Sequence, residues 1–190
     1  MKYIFDHKIG TSISINNTNF LLCPKNASTT LKEIEGAKRL MYSDDKDFIF
    51  LVRDPYERFV SGVFTNIVNT TLLKFTDKSP KEADYMATFY SVIPGMIDDH
   101  KPMEIDEHTN RQVDFLPPNY MKKTNIKYYK LNKNTLENIL NMKVEHANSQ
   151  KNKMLFIEMS SMIKDYMFLF LEEKFRKTYA MDQNLYDNAK

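Results

Sequence analysis

Two stretches of the chain bring together residue types that bind anions. Pro24-Lys25-Asn26-Ala27-Ser28-Thr29-Thr30-Leu31 puts a lysine and three hydroxyls directly after the apolar run Phe20-Leu21-Leu22-Cys23. Val52-Arg53-Asp54-Pro55-Tyr56-Glu57-Arg58-Phe59-Val60-Ser61 puts a guanidinium directly after the apolar run Phe48-Ile49-Phe50-Leu51-Val52. In the first stretch, the backbone N–H groups of Asn26, Ala27, Ser28, Thr29 and Thr30 open a helix, where first-turn donors lack intrahelical acceptors and the helix dipole favours negative charge. Lys25 adds a mobile charge. In the second, Arg53 can grip a phosphate through two parallel charge-assisted bonds, and Ser61, about two helical turns on, can add a hydroxyl. Each stretch also has a plainer reading. The first is a capped helix with an exposed lysine, and the second is an ion pair of Arg53 with Asp54 or another carboxylate. Arg58 and Glu57 are expected to face solvent or to form ion pairs. Taken together, the stretches describe two anion sites at the same end of one parallel sheet, suited to a ligand with phosphates at both ends.

The elements that must hold these residues follow from the pattern. Residues 11–18 are polar and β-branched, with a turn at Asn16-Asn17, and Phe20-Leu21-Leu22-Cys23 reads as a short buried strand. Pro24 stops it, and Ser28 or Thr29 can cap a helix running to about Tyr42. Phe48–Val52 is uninterruptedly apolar, as strands buried on both faces are. Asp54 is a plausible N-cap, and Pro55 stands at the first helical position, where its missing N–H costs nothing. A helix is expected over 82–97, a strand over 126–131, another helix from Thr135, a polar basic loop over 145–153, and helix beyond it, whose methionines and aromatics between 154 and 175 read as core filler. Residues 98–112 carry no strong periodicity. The strand–helix–strand–helix order predicts an α/β fold with a central parallel sheet flanked by helices. No linker divides the chain, so residues 1–190 are expected to form a single domain.

Bulk properties narrow the class. At 190 residues, one substantial core is affordable. The balance of 27 basic against 25 acidic residues, net +2, argues against a nucleic-acid partner, so any phosphate recognition must be local. The single cysteine, Cys23, excludes an intramolecular disulfide and reads as a small core residue. No apolar run is long enough to span a membrane, and the start of the sequence lacks a signal-peptide core; a soluble, cytoplasmic protein is expected. The abundance of Asn, Lys, Ile and Tyr hints at an AT-rich microbial or viral origin.

The two motifs together resemble the sulfotransferases that use 3′-phosphoadenosine 5′-phosphosulfate (PAPS), in the carbohydrate, Golgi-type or family-2-like group. Pro24–Leu31 resembles that family's 5′-phosphosulfate loop, and Val52–Ser61 its 3′-phosphate motif; residues 20–65 carry most of the likeness. Asp106-Glu107-His108-Thr109-Asn110-Arg111-Gln112 resembles an H-x-x-x-Q element of some of these enzymes, and the segment around Tyr179 and Asp182 resembles their C-terminal end. The resemblance implies a P-loop-like three-layer sandwich and PAPS as co-substrate with no metal. It also implies that Lys25 stabilises the departing bridging oxygen, that Ser28, Thr29, Thr30 and the loop amides of Asn26 and Ala27 hold the 5′-phosphate, and that Arg53 and Ser61 hold the 3′-phosphate. The acceptor it implies is a hydroxyl, of a carbohydrate first.

Sulfuryl transfer is an in-line displacement with charge building on the leaving oxygen, and its acceptor hydroxyl must lose a proton. Of the four histidines, His108, in the irregular segment before the third strand, is the first candidate base and Glu107 the next. Asp98, Asp99, His100, Asp106 and His108 match no recognised metal-ligand spacing. Lys151 and Lys153 are candidates to close over a 3′-phosphate. Two other classes compete: a catalytically silent nucleotide-binding module on the same scaffold, and a kinase-like phosphotransferase. The latter is disfavoured because the Lys25 loop contains no glycine and so is no Walker loop.

Overall fold

The computed structural model describes residues 12–74, 80–98, 103, 105–132, 134–145 and 153–190. Phe48, Ile49, Phe50, Leu51 and Val52 form strand β4, inside a sheet with a neighbour on each side, and successive side chains alternate between its two faces. Phe48, Phe50 and Val52 pack with Leu21, Cys23, Phe115, Leu116 and Ile126. Leu51, with Ile49 beside it, packs with Ile13, Ile15, Phe20, Leu31, Leu136 and Leu140 on the other face. Burial on both faces explains why this strand reads as a continuous apolar run.

The sheet holds β1 (Ser12–Ile15), β2 (Thr18–Leu21), β3 (Lys38–Leu40), β4 (Phe48–Val52) and β5 (Ile126–Lys130), in the order β3-β1-β2-β4-β5. β2, β4 and β5 run parallel, with Leu21 opposite Phe50 and Phe50 opposite Tyr128. β1 and β3 join antiparallel, so the parallel core carries an antiparallel edge. Asn16 and Asn17 both have positive φ (49° and 63°), as the central residues of a type I′ hairpin turn must, and asparagine tolerates that region well. The sheet is flanked by α1 (Ser28–Glu33) and α4 (Thr135–Leu140) on one face and by α7 (Ala180–Asn188) with a 3₁₀ turn at Gln112–Phe115 on the other. An α/β fold with a mostly parallel core between helices is therefore the architecture. Beyond β5, the backbone of Lys190 pairs with Tyr128 and Lys130 and covers that sheet edge.

Two compact units are present. One takes in the described residues of Met1–Pro55, Arg111–Ser149 and Met181–Lys190, which include the sheet. The other takes in those of Tyr56–Asn110 and Gln150–Ala180 and is helical: α2 (Pro55–Lys74, from Tyr56 on), α3 (Glu82–Ile97), α5 (Lys153–Phe170) and α6 (Glu172–Thr178). Its core joins Phe59, Val63 and Ile67 to Met159, Ile163, Met167, Leu171 and Phe175, a buried residue at every fourth position. The reading of 154–175 as core filler holds for that stripe only, because Met154, Phe168, Leu169 and Phe170 are exposed.

Several expectations are corrected. The first helix ends at Glu33, not near Tyr42. Gly36, at φ +80°, turns the chain, and Lys38–Leu40 becomes the edge strand β3. The position before that helix is Ala27, with φ 61° and no side-chain cap bond, so neither Ser28 nor Thr29 is the cap. Arg58 does not face solvent: it is 1% exposed, and its guanidinium donates to the Asn110 carbonyl. Glu57 pairs with Lys164 at 2.6 Å, as one of its two readings has it. Residues 1–11, 99, 100 and 146–152, and with them His7, His100, His146 and Lys151, lie outside the described residues.

A Cβ added at Gly36 would meet nothing within 4 Å, so Gly36→Ala tests the backbone alone. Its left-handed φ should cost the alanine variant about 1–2 kcal/mol of stability, read as a lower urea midpoint at unchanged slope.

Candidate active site

β2 and β4 are parallel neighbours, so Lys25 and Arg53 follow strand ends on the same side of the sheet. The structure brings them together: Arg53 Nη1 lies 3.4 Å from the carbonyl oxygen of Lys25. Both side chains are half-buried. Lys25 and Ala27 have φ of 67° and 61°, so the chain enters the left-handed region on either side of Asn26. Such residues cost of order 1–2 kcal/mol each and persist only where surroundings over-determine them. Here the compensation is visible. The bend turns the Asn26 side chain, 2% exposed, into the sheet, where Nδ2 donates to the Leu51 carbonyl at 2.7 Å and to Gln112 Oε1 at 2.5 Å. Ser28 is half-buried, Thr29 exposed and Thr30 buried, and α1 begins without a side-chain cap on its first N–H groups.

Gln112 does the same for Arg53. Its Oε1 accepts from Arg53 N–H at 2.9 Å, and its Nε2 donates to the Arg53 carbonyl at 2.8 Å. Gln112 is held in turn by Asp182, whose carboxylate accepts from the N–H groups of Gln112 (2.7 Å) and Val113 (3.0 Å). Gln112 and Asp182 are both fully buried. Nearby, Arg111 makes a bidentate pair with Asp114 at 2.8 and 3.0 Å.

In the helical unit, Ser61 is half-buried on α2. His108 sits in a turn that buried bonds lock in place. Thr109 Oγ1 accepts from the N–H groups of Ile105 (2.7 Å) and Asp106 (3.0 Å), and the Thr109 carbonyl accepts from Tyr179 Oη at 2.5 Å. Asp106 accepts the His108 N–H at 2.8 Å, and its Oδ2 lies 3.3 Å from His108 Nδ1. Asn66 of α2 donates to the same oxygen at 3.2 Å. A carboxylate only accepts, so this contact favours the tautomer with the proton on Nδ1 and orients the ring. Glu107 is exposed in the same turn. The turn lies against α2 at Gly62, where an added Cβ would stand 2.6 Å from the His108 carbonyl oxygen. No larger residue fits there without displacing the histidine.

The α/β sheet thus carries the lysine loop and the arginine at adjacent parallel strand ends. The sequence profile of the sulfotransferase family matches residues 12–187, and the chain belongs to that family. Comparison with curated proteins and with solved structures gave no match. Among the described residues, no helix is long and apolar enough to cross a membrane.

Among the residues singled out in the sequence, Lys25, Asn26 and Arg53 come together at the sheet end, while Asp106, weighed there only for a metal cluster, and Asn66 and Gly62, given no role, surround His108. The one available signal was the Asp106-x-His108 spacing. Gly62→Ala should lower stability by about 1–3 kcal/mol through overpacking and shift the His108 imidazole resonances. Unmoved resonances would show that α2 does not set that turn.

Proposed function

We propose that the chain, working as one sulfotransferase domain, moves a sulfuryl group from PAPS to a hydroxyl, foremost that of a carbohydrate. The observation that carries this reading is the approach of the Arg53 guanidinium to the Lys25 loop. The guanidinium lies beside the backbone of that loop at one end of the sheet, which supports a donor with separate 5′ and 3′ charges. The family match, which runs through segments of both units, supports it. The carbohydrate acceptor rests on the likeness of the Lys25 and Arg53 motifs to carbohydrate sulfotransferases.

In this reading Asn26, Ala27, Ser28, Thr29 and Thr30 hold the 5′-phosphate, and Arg53 and Ser61 hold the 3′-phosphate. The acceptor oxygen attacks sulfur as the bond from sulfur to the bridging phosphate oxygen breaks. His108 Nε2 takes the acceptor's proton, Asp106 steadies the imidazolium that forms, and the Lys25 ammonium meets the charge growing on the leaving oxygen. Glu107 is the second candidate base.

Titration calorimetry tests the donor assignment. Adenosine 3′,5′-bisphosphate should bind much more tightly than AMP, and equal affinities would defeat it. Arg53→Ala should weaken bisphosphate binding by about 1.5–3 kcal/mol, roughly tenfold to a hundredfold, with Ser61→Ala weaker in the same direction. Lys25→Ala should lower kcat by about 10²–10³ with a smaller change in nucleotide affinity. His108→Ala should lower kcat by about 10²–10⁴, and a near-normal rate would pass the base to Glu107. Bisphosphate binding without transfer to any acceptor of a hydroxyl panel would favour the silent module.

A further inference from the structure

We propose that Gln112 and Asp182 are positioning residues, a buried relay that locks the Lys25 loop and Arg53 into a single register. The proposal rests on the reading of those two segments as the donor site and says how the distance between them is set.

The relay has one allowed polarity. Asp182 can only accept, so it must face N–H groups, and it takes those of Gln112 and Val113 at the start of the 3₁₀ turn. Arg53 then offers Gln112 a backbone donor and a backbone acceptor, which fixes the side-chain oxygen toward Arg53 N–H and the nitrogen toward Arg53 C=O. With that oxygen fixed, the group Asn26 turns toward it must be its NH₂, which also reaches the Leu51 carbonyl. Asp182 thus anchors the Gln112 backbone, the Arg53 backbone orients the Gln112 amide, and Gln112 orients Asn26. Glutamate at 112 could not donate to Arg53 C=O, and asparagine would be one methylene short.

The relay acts where the regular ladder stops. The β2–β4 pairing ends at Leu21 and Phe50, and on β4 the next groups along the ladder, Leu51 C=O and the Arg53 backbone, are taken by side-chain amides. A strand end left to solvent would let the Lys25 loop and Arg53 move independently. Here one buried oxygen, Gln112 Oε1, receives a bond from each of them at 2.5 and 2.9 Å, so neither shifts without breaking a bond in a dry environment. Because Asp182 belongs to α7, the helix that packs on this face through Leu185 and Ala189, the C-terminal segment is tied to the phosphate-side loops though it contributes no group to them.

The test uses the ligand-free and nucleotide-bound full chain with Gln112→Met, which keeps side-chain length and removes the polar atoms, and Asp182→Asn, nearly isosteric, in case the first does not fold. Below the melting temperature, amide hydrogen exchange without ligand should accelerate by about tenfold or more over residues 25–31 and 53–54, and less than about twofold in β1 and β3. Acceleration shared equally by β1 and β3 would mean a general loss of stability, and unchanged exchange over 25–31 would mean the loop is set by other contacts; either overturns the relay. With nucleotide, the preference for adenosine 3′,5′-bisphosphate over AMP should fall by about tenfold in both variants. An undiminished preference also overturns it. If the wild-type chain itself shows no such preference, the donor reading fails, and the ligand-free exchange pattern still decides for or against the relay.

Discussion

The backbone of Arg53 leaves the sheet with its N–H and C=O both taken by a single side-chain amide. Everything distinctive about the sheet end follows from that arrangement. Gln112 stands where another strand would stand, and the same oxygen that accepts from Arg53 accepts from Asn26. The left-handed residues Lys25 and Ala27 become tolerable because the bend they make delivers Asn26 into that network. Removal of the Gln112 amide would break three bonds at once, and a buried group that loses its partner costs about 1–3 kcal/mol, far more than an exposed hydrogen bond is worth. A rigid strand end of this kind is what transfer of a charged group asks of its protein, because charge is stabilised cheaply only by dipoles that need not reorganise.

The helical unit solves a different problem with different means. Its bonds converge on the turn that carries His108. Asp106 orients the ring, Asn66 braces Asp106, the Thr109 hydroxyl closes the turn, and Gly62 lets that turn settle onto α2. Arg58, which a motif reading places on the surface, is consumed by the scaffold: its guanidinium holds the Asn110 carbonyl at the end of the same turn. The arginine two turns before the middle of α2 and the glycine after Ser61 are therefore structural members of that helix.

What could be read beforehand divides along a physical line. Phe48–Val52 was legible because burial on both faces leaves a continuous apolar run, and the helix starting at Pro55 was legible because proline suits that position alone. Lys38-Arg39-Leu40 was not, since an edge strand with exposed lysine and arginine carries no apolar alternation, and nothing in the pattern marks the stop of α1 at Ile34, which is already extended. Lys25, Arg53 and His108 stand out as candidates in the sequence because their side chains have an obvious chemistry. Gln112 and Asp182 stood inside segments already singled out, but their partners are backbone groups, and no residue pattern records which carbonyl lies within reach of an amide.

The central claim is that the Lys25 loop and Arg53 hold the two ends of one adenosine bisphosphate. Phosphorus NMR of adenosine 3′,5′-bisphosphate reports each end separately. Both resonances should shift on binding to the wild-type chain, and replacing Arg53 by alanine should return only the 3′ signal toward its free position. A bound nucleotide whose 3′ resonance stays at its free value would contradict the account.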